Sequence, residues 1–200
     1  MERNEMRKAL IQSAIHIVAC EGIDKVKVDK VAHAAGLNVA YLYRIFGGKE
    51  GLFLETFQQI DIELREYILQ HVDILFADNI LQEERWNNFI MDLWEFVLDD
   101  QEKCAFFIRY YYSSYFDSYS SAERKECYIK LLDKMAPAFK AGVDVWKQLN
   151  HIYDVIFSSV VKVLRNHESK DEVKANVFHF LYTALMPKMV SEDKREMLIV

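Results

Sequence analysis

The chain has 200 residues, of which 52% are hydrophobic and 28% charged, with only two prolines and six glycines. This composition excludes an intrinsically disordered chain, and the length allows one or two domains with a real core. The net charge is −6, yet residues 1–48 hold seven Lys and Arg against five Asp and Glu. A mildly basic N-terminal segment on an acidic remainder is compatible with a DNA-binding N-terminal segment.

Catalytic and metal-binding motifs are missing from the sequence. The three cysteines, Cys20, Cys104 and Cys127, are far apart, so neither a disulfide framework nor a Cys-x-x-Cys metal pair is predicted. The six histidines are scattered, and no two of them are four residues apart. There is no glycine-rich phosphate loop, nucleophile elbow or His-Glu-x-x-His motif. We therefore expect no enzyme activity, no metal and no cofactor.

The same sequence favours a cytoplasmic protein. Free thiols fit a reducing compartment. The charged N-terminus does not resemble a signal peptide, and no apolar run approaches the ~20 residues of a membrane span. We expect no membrane partner.

The N-terminal residues predict three helices. Apolar residues at helical spacing predict a first helix over about residues 2–21, which Gly22 ends. A second apolar face covers residues 28–35 and is followed by Gly36, and Asn38 is a strong N-cap for a third helix. Two short helices at a glycine-containing turn are typical of the helix-turn-helix, whose second helix enters the major groove of DNA.

Residues 36–52, G-L-N-V-A-Y-L-Y-R-I-F-G-G-K-E-G-L, resemble the signature G-V-S-x-G-x-L-Y-x-Y-F-x-S-K-E-x-L of the tetracycline-repressor (TetR) family. The matching residues are Gly36, Leu42, Tyr43, Phe46, Lys49, Glu50 and Leu52. The departures are Asn38, Ala40, Ile45 and Gly48, together with Lys27 where the family usually has a capping Thr. The resemblance implies an all-α fold in which a three-helix head is joined by a long helix to a helical effector-binding and dimerisation body.

This resemblance also implies a function and its partners. The protein would be a homodimer on a pseudo-palindromic operator in double-stranded DNA, and a small molecule bound to the body would relieve repression. We divide the chain into a DNA-binding domain, residues 1–48, and a ligand-binding and dimerisation domain, residues 49–200. The alternative is a DNA-anchored protein of the same fold that is controlled by a protein partner and has no small-molecule pocket.

The candidate DNA-binding residues lie on or beside the second and third helices. Side chains near the start of a recognition helix reach base edges, and the family resemblance implies phosphate contacts for Tyr43 and Lys49. Arg44 suits guanine or phosphate, whereas Tyr41 and Tyr43 could instead be scaffold aromatics. The full set is Lys27, Asn38, Val39, Ala40, Tyr41, Tyr43, Arg44 and Lys49.

The remaining sequence predicts further helices. We expect a long helix from Lys49 to about Ala77, another over residues 82–99, and an aromatic segment over 102–116. The next helix runs to about Ala141, with Pro137 kinking or ending it. The aromatic segment is either a plain core or the lining of a pocket for an elongated, apolar, neutral or anionic effector. The candidate ligand-binding residues are Met91, Trp94, Phe106, Arg109, Tyr110, Tyr111, Phe116 and Met135.

The last two predicted helices, ending near His167 and Leu185, each carry an apolar stripe. Two copies of such a hairpin can close a twofold-symmetric four-helix bundle. The alternative is that both stripes are buried inside one subunit. The candidate dimer-interface residues are Ile152, Ile156, Val160, Val163, Val173, Val177, Phe180, Leu181 and Ala184.

Overall fold

The computed structural model describes residues 2–116, 121–166 and 168–189. Within these ranges the regular elements are α-helices and short 3₁₀ segments, with no β-strand, so the all-α prediction is confirmed. The α-helices are α1 (Arg3–Glu21), α2 (Val28–Ala34), α3 (Val39–Phe46), α4 (Lys49–His71), α5 (Gln82–Asp99), α6 (Gln101–Tyr111), α7 (Ser121–Met135), α8 (Val145–Asn166) and α9 (Lys170–Leu185). Over the same residues, no helix has both the length and the apolar character that crossing a membrane requires.

The helices divide between two compact units. The first unit lies within Met1–Leu64 and Asp100–Arg124, and the second within Arg65–Asp99 and Lys125–Val200. The first unit therefore contains the helix-turn-helix together with most of α4 and all of α6. The functional division at residue 48 follows the sequence motif, and it stays a prediction.

In the first unit, α1 is the central element. Its apolar residues recur at helical spacing, and six of them are buried: Leu10, Ile11, Ala14, Ile15, Ile17 and Val18. This helix packs against both α2 and α6. Near its C-terminus, the carbonyl of Val18 accepts a hydrogen bond from the guanidinium of Arg109 in α6. Near its N-terminus, Arg7 pairs with Glu55 of α4, which raises the pKa of Arg7.

The helix α4 is shorter than the sequence predicts. It ends at His71, and Val72–Phe76 continue as a 3₁₀ helix. Twenty-three residues at ~1.5 Å per residue give a rod of roughly 34 Å. The prediction ran on to about Ala77 because Ile68 and Leu75 continue the apolar spacing of the helix. Ile68, Val72 and Leu75 are all buried, and their spacing of four and then three residues suits either kind of helix, so the apolar pattern does not reveal the change.

A buried ion pair joins α4 to α7 inside the first unit. Arg124 donates from Nε and Nη2 to Oδ1 of Asp61, at 3.0 and 2.7 Å. The two side chains are 1% and 4% exposed. The guanidinium lies 5.9 Å from the ring centroid of Phe57 and 5.6 Å from that of Tyr111. Each charge is therefore removed from water and balanced by the other.

The second unit is built around the tryptophans of α5. This helix has the predicted bounds, and it buries Trp86 and Trp94. The indole of Trp94 donates to the hydroxyl of Ser159 in α8 at 2.8 Å. The helix α7 ends at Met135, before the predicted limit near Ala141 and directly before the 3₁₀ turn that contains Pro137. Of the two effects expected of the proline, a kink or an end, the structure shows the end.

Charged side chains also connect α5 to α9 within the second unit. Lys170 and Lys174 donate to Glu95 at 2.8 and 2.6 Å, and these hydrogen bonds hold the pKa of Glu95 below its usual value.

The buried pair predicts a large stability difference between two carboxylates of α4. Asp61→Ala leaves the guanidinium of Arg124 buried without its counter-ion, and we expect a loss of about 3–5 kcal/mol in the free energy of unfolding. The control is Glu63→Ala, which removes a more exposed partner of Lys103 and should cost about 1 kcal/mol or less. Urea unfolding followed by circular dichroism measures both. Equal losses for the two variants would contradict the proposed role of the pair.

Candidate functional site

The turn between α2 and α3 has the geometry of a helix-turn-helix. Gly36 has a φ of 68°, a left-handed conformation that glycine adopts easily. The backbone N–H of Leu37 then donates to the carbonyl of Ala32 at 2.9 Å, which closes the end of α2. Asn38 begins α3, and its Oδ1 accepts a hydrogen bond from the N–H of Ala40 at 2.9 Å. The N-cap predicted for Asn38 is therefore confirmed.

The helix α3 buries one face and exposes the other. Leu42 is fully buried, whereas Ile45 and Phe46, also predicted to point inward, are half-buried. Tyr41 is 36% exposed and Tyr43 is 53% exposed. Aromatic side chains this exposed on a short, capped helix are available to a partner.

The eight candidate DNA-binding residues differ in their exposure and in their side-chain contacts. Val39 and Lys49 are half-buried. The other six are exposed, five on or beside α3 and one at the start of α2: Asn38, Ala40, Tyr41, Tyr43, Arg44 and Lys27. The guanidinium of Arg44 lies 4.6 Å from the ring centroid of Tyr41, so the two side chains stack. The ammonium of Lys49 lies 3.5 Å from the carbonyl oxygen of Asp24 and 5.3 Å from the ring centroid of Tyr115.

The family model described as bacterial regulatory proteins, tetR family, matches residues 10–56. This span runs from within α1, through α2 and α3, into the first turns of α4. The chain carries a TetR-family N-terminal segment. No curated protein matches the chain.

Solved structures of transcriptional regulators extend the similarity to most of the chain. A TetR family transcription regulator from Marinobacter aquaeolei VT8 is 21% identical with a TM-score of 0.69, covering 90% of this chain and 95% of its own. FadR from Bacillus subtilis, solved with stearoyl-CoA, is 19% identical with a TM-score of 0.62, covering 87% and 96%. NalD from Pseudomonas aeruginosa is 14% identical with a TM-score of 0.60, covering 96% and 100%. The chain thus has the fold of TetR-family transcription regulators, and the resemblance seen in the sequence is confirmed.

The candidate effector-binding residues of this TetR-like fold fall into two sets. Those in the first unit are Phe106, Arg109, Tyr110, Tyr111 and Phe116. Their rings pack on one another and on α4: the ring of Phe57 stacks on those of Phe107 and Tyr110, with centroids 4.7 Å apart in each pair. We call Phe57, Phe106, Phe107, Tyr110, Tyr111 and Phe116 the ring cluster. The guanidinium of Arg109 donates to the carbonyl of Val18 in α1, and its predicted role in ligand binding stays a prediction.

The other set, Met91, Trp94 and Met135, lies in the second unit. Trp94 and Met135 are fully buried, and the indole N–H of Trp94 is used by Ser159. Both side chains therefore act as core residues. Met91 is half-buried and lines an open cleft of about 590 Å³ together with Gln70 and His71 of α4.

Most residues of the expected dimer interface are packed inside the chain. Six of the nine are buried and offer little surface to a partner: Ile152, Ile156, Val160, Val173, Val177 and Leu181. These residues lie on α8 and α9, which pack against each other and against α5. Val163 and Ala184 are half-buried, and Phe180 is 55% exposed. Phe180 also lines a groove of about 570 Å³ formed by residues of α8 and α9.

The sequence did not predict the buried ion pair of Arg124 and Asp61, which lies beside the ring cluster. Arg124 lies in the run S-A-E-R-K-E-C, which reads as a solvated helix start, and Asp61 lies between two isoleucines of α4. Only the position of Asp61 gave a signal, because an aspartate at 61 falls next to the buried stripe of Phe57, Ile60 and Leu64.

Proposed function

We propose that this chain is a cytoplasmic, DNA-binding transcription regulator that represses its target genes until a small molecule binds. In this proposal residues 1–48 read DNA, and residues 49–200 carry the effector and dimer functions. The observation that carries it is the outer face of α3, where Tyr41, Tyr43 and Arg44 are exposed on a helix capped by Asn38. A helix presented in this way fits the major groove.

The geometry of α3 distinguishes two kinds of contact. The hydroxyl of Tyr43 is an exposed donor suited to a phosphate, and phosphate contacts position a protein without reading sequence. Tyr41 lies in the first turn of α3, where side chains reach base edges, and it stacks with Arg44 of the last turn. The Oδ1 of Asn38 is used by the cap, so a base contact by Asn38 would come from its amide N–H donors.

We predict that Tyr43→Phe weakens binding to an operator and to scrambled DNA by the same factor. Tyr41→Ala should instead change the preference between operator variants, by about 1–3 kcal/mol for a lost base contact. The operator would first be found by genome-wide mapping of bound sites, and fluorescence anisotropy titration then measures each affinity at fixed salt. The control is Tyr112→Phe, because Tyr112 is an exposed tyrosine at the end of α6. This substitution should leave both affinities unchanged. If Tyr43→Phe and Tyr41→Ala also leave both affinities unchanged, the proposed DNA-binding face is wrong.

The ring cluster supports an effector site because it is packed onto the elements that hold the helix-turn-helix. The helix α6 contributes most of its rings, and α6 is also bonded to α1 through Arg109 and Val18. A molecule that inserts between the rings must shift α6 against α1 or α4. Such a molecule weakens DNA binding if it binds the DNA-incompetent arrangement more tightly.

Arg124, the charged residue beside the ring cluster, indicates which chemical class of effector the cluster would bind. The guanidinium of Arg124 lies 5.6 Å from the ring of Tyr111 and is buried. A buried guanidinium can bind a carboxylate in place of part of its contact with Asp61. This supports an elongated, apolar molecule with an anionic or neutral head.

We predict that an apolar carboxylic acid or acyl compound raises the melting temperature of the protein and releases it from its operator. Binding to the folded state stabilises it, so a thermal-shift screen of aromatic, acyl and cationic compounds is the first measurement. Tyr111→Ala should abolish the shift, whereas Tyr112→Ala should keep it, because Tyr112 is 66% exposed and is not one of the ring cluster. A screen in which no compound shifts the melting temperature or releases DNA would favour the alternative of control by a protein partner.

A homodimer in this proposal uses the exposed part of α9. Phe180 is a large aromatic ring that its own chain covers only in part, next to the half-buried Val155 that lines the same groove. A twofold axis would place the same residues of two copies against each other. The buried Val160 is a poor probe of this contact, since a charge there would unfold the subunit itself.

We predict that Phe180→Glu yields monomers at micromolar concentration in analytical ultracentrifugation, while the wild type sediments as a dimer. Leu81→Glu is the matched control, because Leu81 has the same exposure of 55% outside α8 and α9. A monomeric wild type, or a Phe180→Glu variant that remains dimeric, would show that this face is not the interface.

A further inference from the structure

Three metal-ligating side chains meet where α1 and α6 pack together in the first unit. His16 and Cys20 are one helical turn apart on α1, and Glu102 lies in the first turn of α6. The Nδ1 of His16 lies 2.8 Å from Oε1 of Glu102, and its Nε2 lies 4.0 Å from Sγ of Cys20. The three ligand atoms lie within 4.8 Å of one another, and all three residues are exposed.

These distances are close to those of a coordination sphere. Zinc takes imidazole nitrogen at about 2.0–2.1 Å and thiolate sulfur at about 2.3 Å in a tetrahedron, which puts the two ligand atoms roughly 3.5 Å apart. The Nε2–Sγ separation therefore has to close by only about half an ångström, and exposed side chains can do this by small rotations.

The contact with Glu102 prepares the imidazole for this role. A carboxylate on Nδ1 favours the tautomer that carries its proton there, which leaves Nε2 with the lone pair that faces Cys20. Metal-bound histidines commonly have such a carboxylate on the other ring nitrogen. In addition, Cys20 lies in the last turn of α1, where the partial negative charge of the helix end favours a cation.

We propose that His16 and Cys20, supported by Glu102, bind a divalent transition-metal ion of the zinc class. A thiolate with an imidazole selects such an ion over magnesium or calcium, which prefer oxygen ligands. The bound ion would tie the end of α1 to the start of α6, close to the hydrogen bond between Arg109 and Val18. Metal binding is thus an input to the regulator that is separate from the effector at the ring cluster.

The other two cysteines make it possible to test whether Cys20 is the thiol that binds the metal. Cys104 is buried, and burial raises the pKa of its thiol to about 12, so it stays protonated at neutral pH. Cys127 is exposed like Cys20 and serves as the matched control.

The experiment is a Co²⁺ titration of the full chain under reducing conditions. We expect one Co²⁺ per chain with a sulfur-to-cobalt charge-transfer band, and displacement of the band by Zn²⁺. Cys20→Ser and His16→Gln should remove the band, and Cys127→Ser should keep it. Glu102→Gln should weaken binding by about 10–100-fold. Circular dichroism checks that the variants stay folded, which is expected because each replaces an exposed side chain.

A second measurement does not depend on any variant. X-ray absorption of the wild type with one equivalent of Zn²⁺ should show a sulfur scatterer at about 2.3 Å. A shell of oxygen and nitrogen alone would overturn the proposal. A charge-transfer band that survives Cys20→Ser, or one that Cys127→Ser removes, would overturn it as well.

Discussion

The packing of α6 against α1 is the constraint on which the first unit depends. The helix α1 buries residues on more than one side, because it supports the helix-turn-helix through α2 and also receives α6. The hydrogen bond from Arg109 to the carbonyl of Val18 joins the two helices near the end of α1, where the same carbonyl also accepts from the N–H of Gly22. The helix-turn-helix therefore shares one compact unit with α6 and most of α4.

The buried pair of Arg124 and Asp61 gives the same unit a polar centre. Replacing a buried ion pair by apolar residues is often neutral or stabilising in other proteins, so the fold alone does not explain why this pair is present. Its guanidinium lies over the rings of Phe57 and Tyr111, which places a charge beside the most aromatic segment of the chain. The ligand-orienting role proposed above would give the pair a reason that packing does not.

Sequence reasoning succeeded where the signals are local and failed where they depend on tertiary contacts. The glycine turn at Gly36, the cap at Asn38 and the proline stop at Pro137 each act within a few residues, and the structure confirms all three. The partner of Arg124 is 63 residues away in sequence, and no local pattern encodes that distance. His16 and Cys20 form a mixed pair four residues apart, which is described neither by the spacing of two histidines one helical turn apart nor by Cys-x-x-Cys.

The apolar stripes of α8 and α9 show why periodicity alone does not identify an interface. A helix on the surface of a domain buries a face at least about 100° wide against its own chain, and Ile152, Ile156 and Val160 do so here. A stripe read from sequence combines residues that a helix needs for folding with those left for a partner. Only the exposure of each side chain in the folded chain separates these two groups of residues. In α9, Phe180 is the large apolar side chain that stays exposed among the described residues of the predicted interface. The same reasoning applies to α6, whose rings are first of all core residues. An effector at that site would therefore have to stabilise a different packing of the core, and its effect on DNA binding would be set by how far α6 moves from α1.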